Sequence, residues 1–378
     1  MITNNKMTIG GLTSVSGPYI RARWSSFASK CSQHCVLLIE FGNVSKVYDW
    51  LPSDIKVPYY RKVLSKQPAE TLSNFQLILL LIQELNKSKP NLLVLNGYSM
   101  PATLSALIWS LWHQKPAILL SASKEDDAPR NWWNETIKRW ILKGYKAALV
   151  GGKPQKKYLI KLGMNPECIF TGYNVVGNEE FHPNKIKSLS NPHRKPYFLA
   201  VNRFVAKKNL SKLISSYAIY RQTAGVNAWD LVLCGDGKLR PQIEQQISEL
   251  DLKDFVRLPG FLQQDDLLPY FAHAKCFIHA SIQEQWGLVV NEAMAAGLPV
   301  LVSKRCGCYE DLIIENVNGF GFDPENSQQL SQLMLKISSG EVKLEKMSQA
   351  SLEHIQKFSP DYFAEGLIQA VEYAFLNS

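Results

Sequence analysis

Residues 276–303 read CFIHASIQEQWGLVVNEAMAAGLPVLVS, and the hydrophobic period changes twice within them. The apolar run 276–280 has the length of a buried strand. A polar turn follows, then 287–296 carries apolar residues at helical intervals. Gly297 and Pro299 are stop signals, and 300–302 is a second apolar run. Strand, helix and strand in that order form one unit of a parallel sheet, with its working edge at the carboxyl ends of the strands. Two carboxylates fall on that edge, Glu284 in the turn and Glu292 in the young helix, with seven residues between them. The helix start leaves the N–H groups of Gly287, Leu288 and Val289 without intrahelical acceptors, so it is a ready anion site.

Carboxylates accept sugar hydroxyls and a helix end holds phosphate oxygens, so the combination suits a ligand that is part sugar and part phosphate. E-x7-E followed by NEAMAAGLPVLVS resembles the signature of the retaining glycosyltransferases of GT-B fold (glycosyltransferase family 4, the group 1 family). Two glutamates at this spacing are a weak pattern alone. Embedded in strand, turn, helix, Gly-x-Pro and strand, they are specific. The bland alternative is a loop glutamate and a surface-helix glutamate with no shared role. The resemblance implies an α/β chain of two Rossmann-like, doubly wound parallel-sheet domains facing a cleft, with a C-terminal helix crossing back to the first domain.

Composition agrees with such a chain. At 378 residues two domains are the better expectation, and 46% apolar with 20% charged residues describes a folded globular protein. The longest apolar run, 77–82, is far short of a membrane span. The N-terminal MITNNKMTIGG has no signal-peptide core, and seven cysteines without metal-like pairing suit reduced thiols, so a cytoplasmic location is expected. The net charge of +9 suits an anionic nucleotide or lipid surface. Without a recognition-helix or RNA-binding motif, no nucleic-acid partner is expected.

The N-terminal half alternates strands (7–13, 35–41, 92–95, 117–120, 147–150) with helical patterns, as a doubly wound sheet does. The first turn contains Gly17, where the resemblance places close approach of acceptor and donor sugar to the backbone; any tight turn would use the same residue. After the strand 117–120 many relatives carry a histidine facing the transferred sugar. None of the seven histidines falls there. The acidic cluster Glu125, Asp126, Asp127 stands in its place, with Asp127 as a candidate base for the acceptor's proton. Equally, Asp126 or Asp127 would cap a helix opened by Pro129. That helix sets Trp133, Ile137, Trp140, Ile141 and Gly144 in one stripe amid Arg130, Lys138, Arg139, Lys143 and Lys146. Packing of the stripe into the domain core is expected over peripheral contact with an anionic membrane on its inner face.

The polar, proline-flanked stretch 186–196 reads as a linker between a first domain, 1–185 with helix 360–378, and a second, 197–359. In the second domain the strand 197–201 leads into Arg203 and Lys208, which resemble the family's R-x4-K clamp on a diphosphate. Such a clamp is needed where a diphosphate approaches Glu284 and Glu292. Gly235 and Gly237 resemble a G-x-G turn beneath the nucleotide, and Leu258, in VRLPGF, the strand that reads the nucleobase.

What the resemblance implies is transfer of a sugar from a nucleotide-diphosphate sugar to an acceptor hydroxyl, with retention at the anomeric carbon. Glu284 would bind donor-sugar hydroxyls and Glu292 the ribose. Arg203, Lys208 and the amides from Gly287 would neutralise the leaving diphosphate, so no metal and no cofactor beyond the donor substrate are expected. The expected acceptor is a sugar, a lipid-linked glycan or a small molecule. The rivals are another GT-B activity, epimerase or phosphorylase, and a non-catalytic sugar-nucleotide binder.

Overall fold

The computed structural model describes residues 6–44 and 56–377. They divide into two units, one of residues 1–177 with 358–378, the other of residues 178–357.

In the first unit seven parallel strands lie in the order β3-β2-β1-β4-β5-β6-β7. These are β1 (Thr8–Thr13), β2 (Cys35–Glu40), β3 (Tyr60–Val63), β4 (Leu92–Asn96), β5 (Ala117–Ser121), β6 (Ala147–Val150) and β7 (Ile169–Thr171). The central strands are unbroken apolar runs because helices cover both faces. Leu92, Leu93, Val94 and Leu95 are all fully buried. The helices are α1 (Pro18–Lys30), α2 (Asn74–Ser88), α3 (Pro101–Trp112), α4 (Trp132–Leu142) and α5 (Lys153–Lys161). Two strands lack the sequence signal. β3, YRKV, is an exposed polar edge, and β7 has three residues.

The second unit is a six-stranded parallel sheet in the order β10-β9-β8-β11-β12-β13. Its strands are β8 (Tyr197–Val201), β9 (Asp230–Cys234), β10 (Val256–Gly260), β11 (Cys276–His279), β12 (Val300–Ser303) and β13 (Gly319–Phe322). Its helices are α6 (Pro183–Ile186), α7 (Leu210–Ala224), α8 (Arg240–Glu249), α9 (Gln264–His273), α10 (Leu288–Ala295), α11 (Tyr309–Leu312), α12 (Ser327–Ser338) and α13 (Leu344–Ile355). The last helix, α14 (Pro360–Leu376), packs on α1 and β6, so it belongs to the first unit as the resemblance implied. Strand order reverses between β1 and β4 in one sheet and between β8 and β11 in the other. Such reversals open a crevice at the carboxyl ends of the strands.

Three expectations are corrected. The stretch 186–196 is fastened to the second unit and is not a free linker. His273 bonds the carbonyl of Leu189 at 2.7 Å, and His193 meets Asp230 at 2.8 Å. Asn178 donates to the carbonyl of Ile355 at 2.9 Å, so the division falls at 177/178, ahead of the expected 185. Secondly, α4 starts at Trp132 with Asn131 as its cap, whose side chain accepts from the Trp133 amide at 3.1 Å; neither Asp126 nor Asp127 caps it. Thirdly, most of the stripe of α4 stays outside the core, and of its side chains Ile141 alone packs partly buried against it. Trp132, Trp133, Ile137 and Trp140 are exposed, and Leu142 alone among the residues of α4 is buried. The polar side turns inward instead, where Glu135 and Lys138 both bond the hydroxyl of the buried Tyr158.

Candidate functional site

The loops after β8 and β11 meet where the second sheet's strand order reverses. β8 hydrogen-bonds to both β9 and β11. The β8 loop brings Arg203 and Lys208, the β11 loop Glu284 and Gly287. The two loops are joined by the amide of Ile282 donating to the carbonyl of Lys207 at 3.0 Å. The ammonium of Lys208 pairs directly with Glu284 Oε2. Of these residues the structure brings Lys208 and Glu284 into direct contact, while Arg203 stays apart from them.

Glu284 is held from several sides. Its carbonyl accepts from Gly307 at 3.1 Å, and Trp286, just beyond, is buried with its indole N–H on Asn291 Oδ1 at 2.9 Å. His279 Nε2 lies 3.3 Å from Glu284 Oε2 and 3.2 Å from Ser281 Oγ. Burial alone would raise the Glu284 carboxyl. The hydrogen bond from His279 and the charge of Lys208 outweigh it and hold the group well below the usual carboxylate range. His279 is fully buried, and desolvation lowers its pKa despite the neighbouring carboxylate. Its Nδ1 has no partner among the described residues. A neutral ring protonated at Nε2 fits both facts: it donates to Glu284 and leaves only a bare acceptor, not an orphaned N–H, at Nδ1. The sequence signal for this histidine was a lone titratable group in an apolar strand, which is more often core than function.

Gly287 caps α10 at φ +102°, a conformation costly for any residue with a Cβ. An added Cβ would lie 3.3 Å from His279 Nε2 and 3.5 Å from Glu284 Cγ. The left-handed turn therefore lets the helix start close over His279 and Glu284 and leaves the amides of Leu288 and Val289 without intrahelical acceptors. Glu292 is buried one turn along α10.

Arg203 is exposed and makes no ion pair among the described residues. Its loop is set by the G-D-G turn. The amide of Phe204 donates to the carbonyl of Asp236 at 2.8 Å, and Leu239 donates back to the carbonyl of Phe204 at 3.1 Å. Gly235 has φ +127°, and a Cβ there would stand 1.8 Å from the Asn202 carbonyl oxygen; one at Gly237 would stand 2.7 Å from that of Phe204. Both glycines thus position the arginine loop. Asn202, between strand and arginine, is buried with neither side-chain oxygen nor nitrogen partnered among the described residues. A buried, unsatisfied amide costs about 1–3 kcal/mol and is a natural ligand contact. No motif pointed to it.

The remaining residues are less convergent. Leu258 lines a cavity of about 290 Å³ with His193, Arg257 and Tyr270, and its carbonyl accepts from Arg240 at 3.3 Å. In the first unit Gly17 caps α1 at φ −77°, a conformation open to any residue. Asp127 is buried, with one carboxylate oxygen on Arg130 and the other accepting from the Lys124 amide at 3.0 Å.

Comparison with known proteins covers both units. The family described as glycosyl transferases group 1 matches residues 181–354, nearly the whole second unit. The amylovoran biosynthesis glycosyltransferase of Erwinia amylovora is 32% identical over 189 residues, covering 48% of this chain and 45% of that protein. The alpha-1,3/1,6-mannosyltransferase of Mus musculus is 26% identical over 219 residues, 55% of this chain and 52% of its own. The chain thus spans about half the length of the curated relatives it matches. Among solved structures, a glycosyltransferase from Rickettsia africae superposes with a TM-score of 0.75 at 18% identity, over 99% of this chain and 100% of that one. HepE of Anabaena, in complex with UDP and glucose, gives 0.73 at 19%, over 97% and 99%. Both sheets therefore follow the GT-B fold, and the second unit matches the glycosyl transferases group 1 family over residues 181–354.

Proposed function

We propose that the chain transfers a sugar from a nucleotide-diphosphate sugar to an acceptor hydroxyl, in the biosynthesis of a glycan, glycolipid or natural-product glycoside. The observation that carries this is the Lys208–Glu284 pair beside the glycine-started helix α10, at the strand-order reversal of the second sheet. Cation, carboxylate and helix end together match a ligand with a diphosphate next to a sugar. UDP, which HepE binds, is of that class.

In this reading the diphosphate lies on Arg203, Lys208 and the amides from Gly287. Glu284 accepts hydroxyls of the donor sugar, Glu292 accepts ribose hydroxyls, and Asn202 completes the set. As the bond from the anomeric carbon to the phosphate oxygen breaks, negative charge grows on the diphosphate. Each well-placed donor stabilises it by about 3 kcal/mol. These groups do what a divalent cation does elsewhere, so transfer is expected to persist in chelator. The acceptor oxygen attacks from the face the diphosphate leaves. Its proton passes to a phosphate oxygen, and the products are a glycoside of unchanged anomeric configuration and a nucleoside diphosphate. No protein base is then required, and Asp127, already engaged by Arg130 and the Lys124 amide, is assigned to holding its loop. The acceptor falls to the first unit.

Incubation with UDP-, GDP- or ADP-sugars and an acceptor panel, in EDTA, tests the reading, with the product anomer read by NMR. Inverted product, or strict dependence on added metal, overturns the mechanism. Donor binding without transfer on any acceptor would instead support a non-catalytic sugar-nucleotide binder.

A further inference from the structure

The net charge of the chain is +9, and one short stretch accounts for most of it. Residues 130–161 hold nine lysines and arginines against a single carboxylate, Glu135. The stretch contains α4 and α5, which touch through Arg139 on the Lys161 carbonyl and Lys138 on Tyr158. On α4 the ordinary amphipathic order is reversed. Glu135 and Lys138 face the protein while Trp133 (61% exposed), Ile137 and Trp140 (71%) face outward, with Trp132 beside them. The apolar surface continues onto the neighbouring α3. There Ile108, Leu111 and Trp112 (82%) are exposed, and Gly144 at the end of α4 lies against Leu107. Three tryptophans at such exposure present on the order of 400 Å² of aromatic surface, at the upper end of what a soluble monomer leaves uncovered.

We propose that this face of the first unit docks on an anionic lipid bilayer, with α4 lying along the interface. Tryptophans at headgroup depth flanked by lysine and arginine are the chemistry of such a surface, and the charge concentrated in 130–161 complements anionic headgroups. Arg139 and Lys143 border a cavity of about 490 Å³ beside the exposed Trp140, which gives a headgroup room next to the ring. A single-stranded nucleic acid would need open ring faces for base stacking. Here Trp132 and Trp133 stack on each other at 3.6 Å, and the Lys143 ammonium covers the Trp140 ring at 4.8 Å. Among the described residues no helix is long and apolar enough to cross a membrane, so the contact is peripheral.

Sedimentation of the whole chain with vesicles of phosphatidylcholine, with and without about 30% phosphatidylglycerol, tests this. Binding is expected to the anionic vesicles only, to weaken as salt rises, and to fall at least about tenfold in W133A/W140A and in R139E/K143E. These side chains are exposed, so both variants are expected to keep the wild-type circular dichroism and any nucleotide-induced thermal shift, a readout of the second unit. Absence of binding at low salt, equal binding by the variants, or light scattering showing a dimer that W133A/W140A dissociates without vesicle binding would each overturn the proposal.

Discussion

Lys208 and Glu284 are ion-paired across the reversal point of the second sheet, with 13% and 14% of their side chains left exposed. Removing one partner strands the other in a poorly solvated place, at a cost of about 3 kcal/mol. The pH dependence has a definite sign. Because the carboxyl is depressed in the folded protein, its contribution is fully present above the usual 4.5 and is lost as pH falls through the lower folded value. Urea midpoints of wild type and E284Q should therefore differ by a constant amount from pH 8 to 5 and converge below about 4.5. A gap that closes between pH 7 and 6 would contradict the pairing.

His279 titrates in a different window. Burial holds it neutral in the fold, while the unfolded chain protonates near its usual 6.5. Its contribution is thus present above that value and lost below it, at about 1.4 kcal/mol per pH unit until the native ring accepts a proton. Comparing wild type with H279Q, whose amide still donates to Glu284, isolates the effect from the other histidines. Wild type should fall more steeply than H279Q between about pH 6.5 and 5. Parallel curves would mean that burial leaves the titration of the ring unshifted.

Asp127 offers a clean separation of roles. A carboxylate bonded to Arg130 and to the Lys124 amide ties down the loop after β5. D127N should leave turnover within about threefold and lower stability by about 1.5–3 kcal/mol, the usual worth of a hydrogen bond to a charged group. A hundredfold loss of turnover at unchanged melting temperature would instead make Asp127 the base.

These residues differ in how far the sequence disclosed them. Glu284, Lys208 and Gly287 were legible because the turn between two apolar strands fixes which sheet edge they occupy. The central strands were legible for a related reason, since burial on both faces leaves nothing but Val, Ile, Leu and Ala in β6 and in all but the last residue of β4 and β5. β3 and β13 were not: YRKV sits on an exposed edge and GFGF reads as a loop. Nor does period alone say which side of a helix faces inward. The stripe on α4 was visible, but its orientation depends on Tyr158, twenty residues beyond Lys138, drawing Glu135 and Lys138 beneath the helix. Asn202 and His279 escaped notice because an unpartnered amide and a ring touching Glu284 are facts of three-dimensional contact.

Arg203 should behave unlike Lys208. It is exposed and has no ion-pair partner among the described residues, so R203A should change stability by no more than about 0.5 kcal/mol. If it holds the leaving diphosphate, the same change should cost about 10²–10³ in turnover. K208A should lose both stability and turnover. Equal stability losses in the two variants, or full activity of R203A in a donor-hydrolysis or transfer assay, would remove the clamp from the mechanism.

Gly235 gives a test of the loop that carries Asn202 and Arg203. A methyl group there would meet the Asn202 carbonyl oxygen at 1.8 Å on a backbone at φ +127°, so the β8 loop must shift or the turn must rearrange. The shift falls on the segment that carries Asn202 and Arg203, while the Lys208–Glu284 pair is tied separately through Ile282 and Lys207. G235A should therefore lower stability by about 1–3 kcal/mol and weaken nucleotide binding at least tenfold in a titration performed well below its melting temperature. The pH dependence attributed to Glu284 should survive the change. If G235A binds nucleotide like wild type, the G-D-G turn is only a connection between strand and helix, and the positioning of Arg203 by its neighbours has to be abandoned.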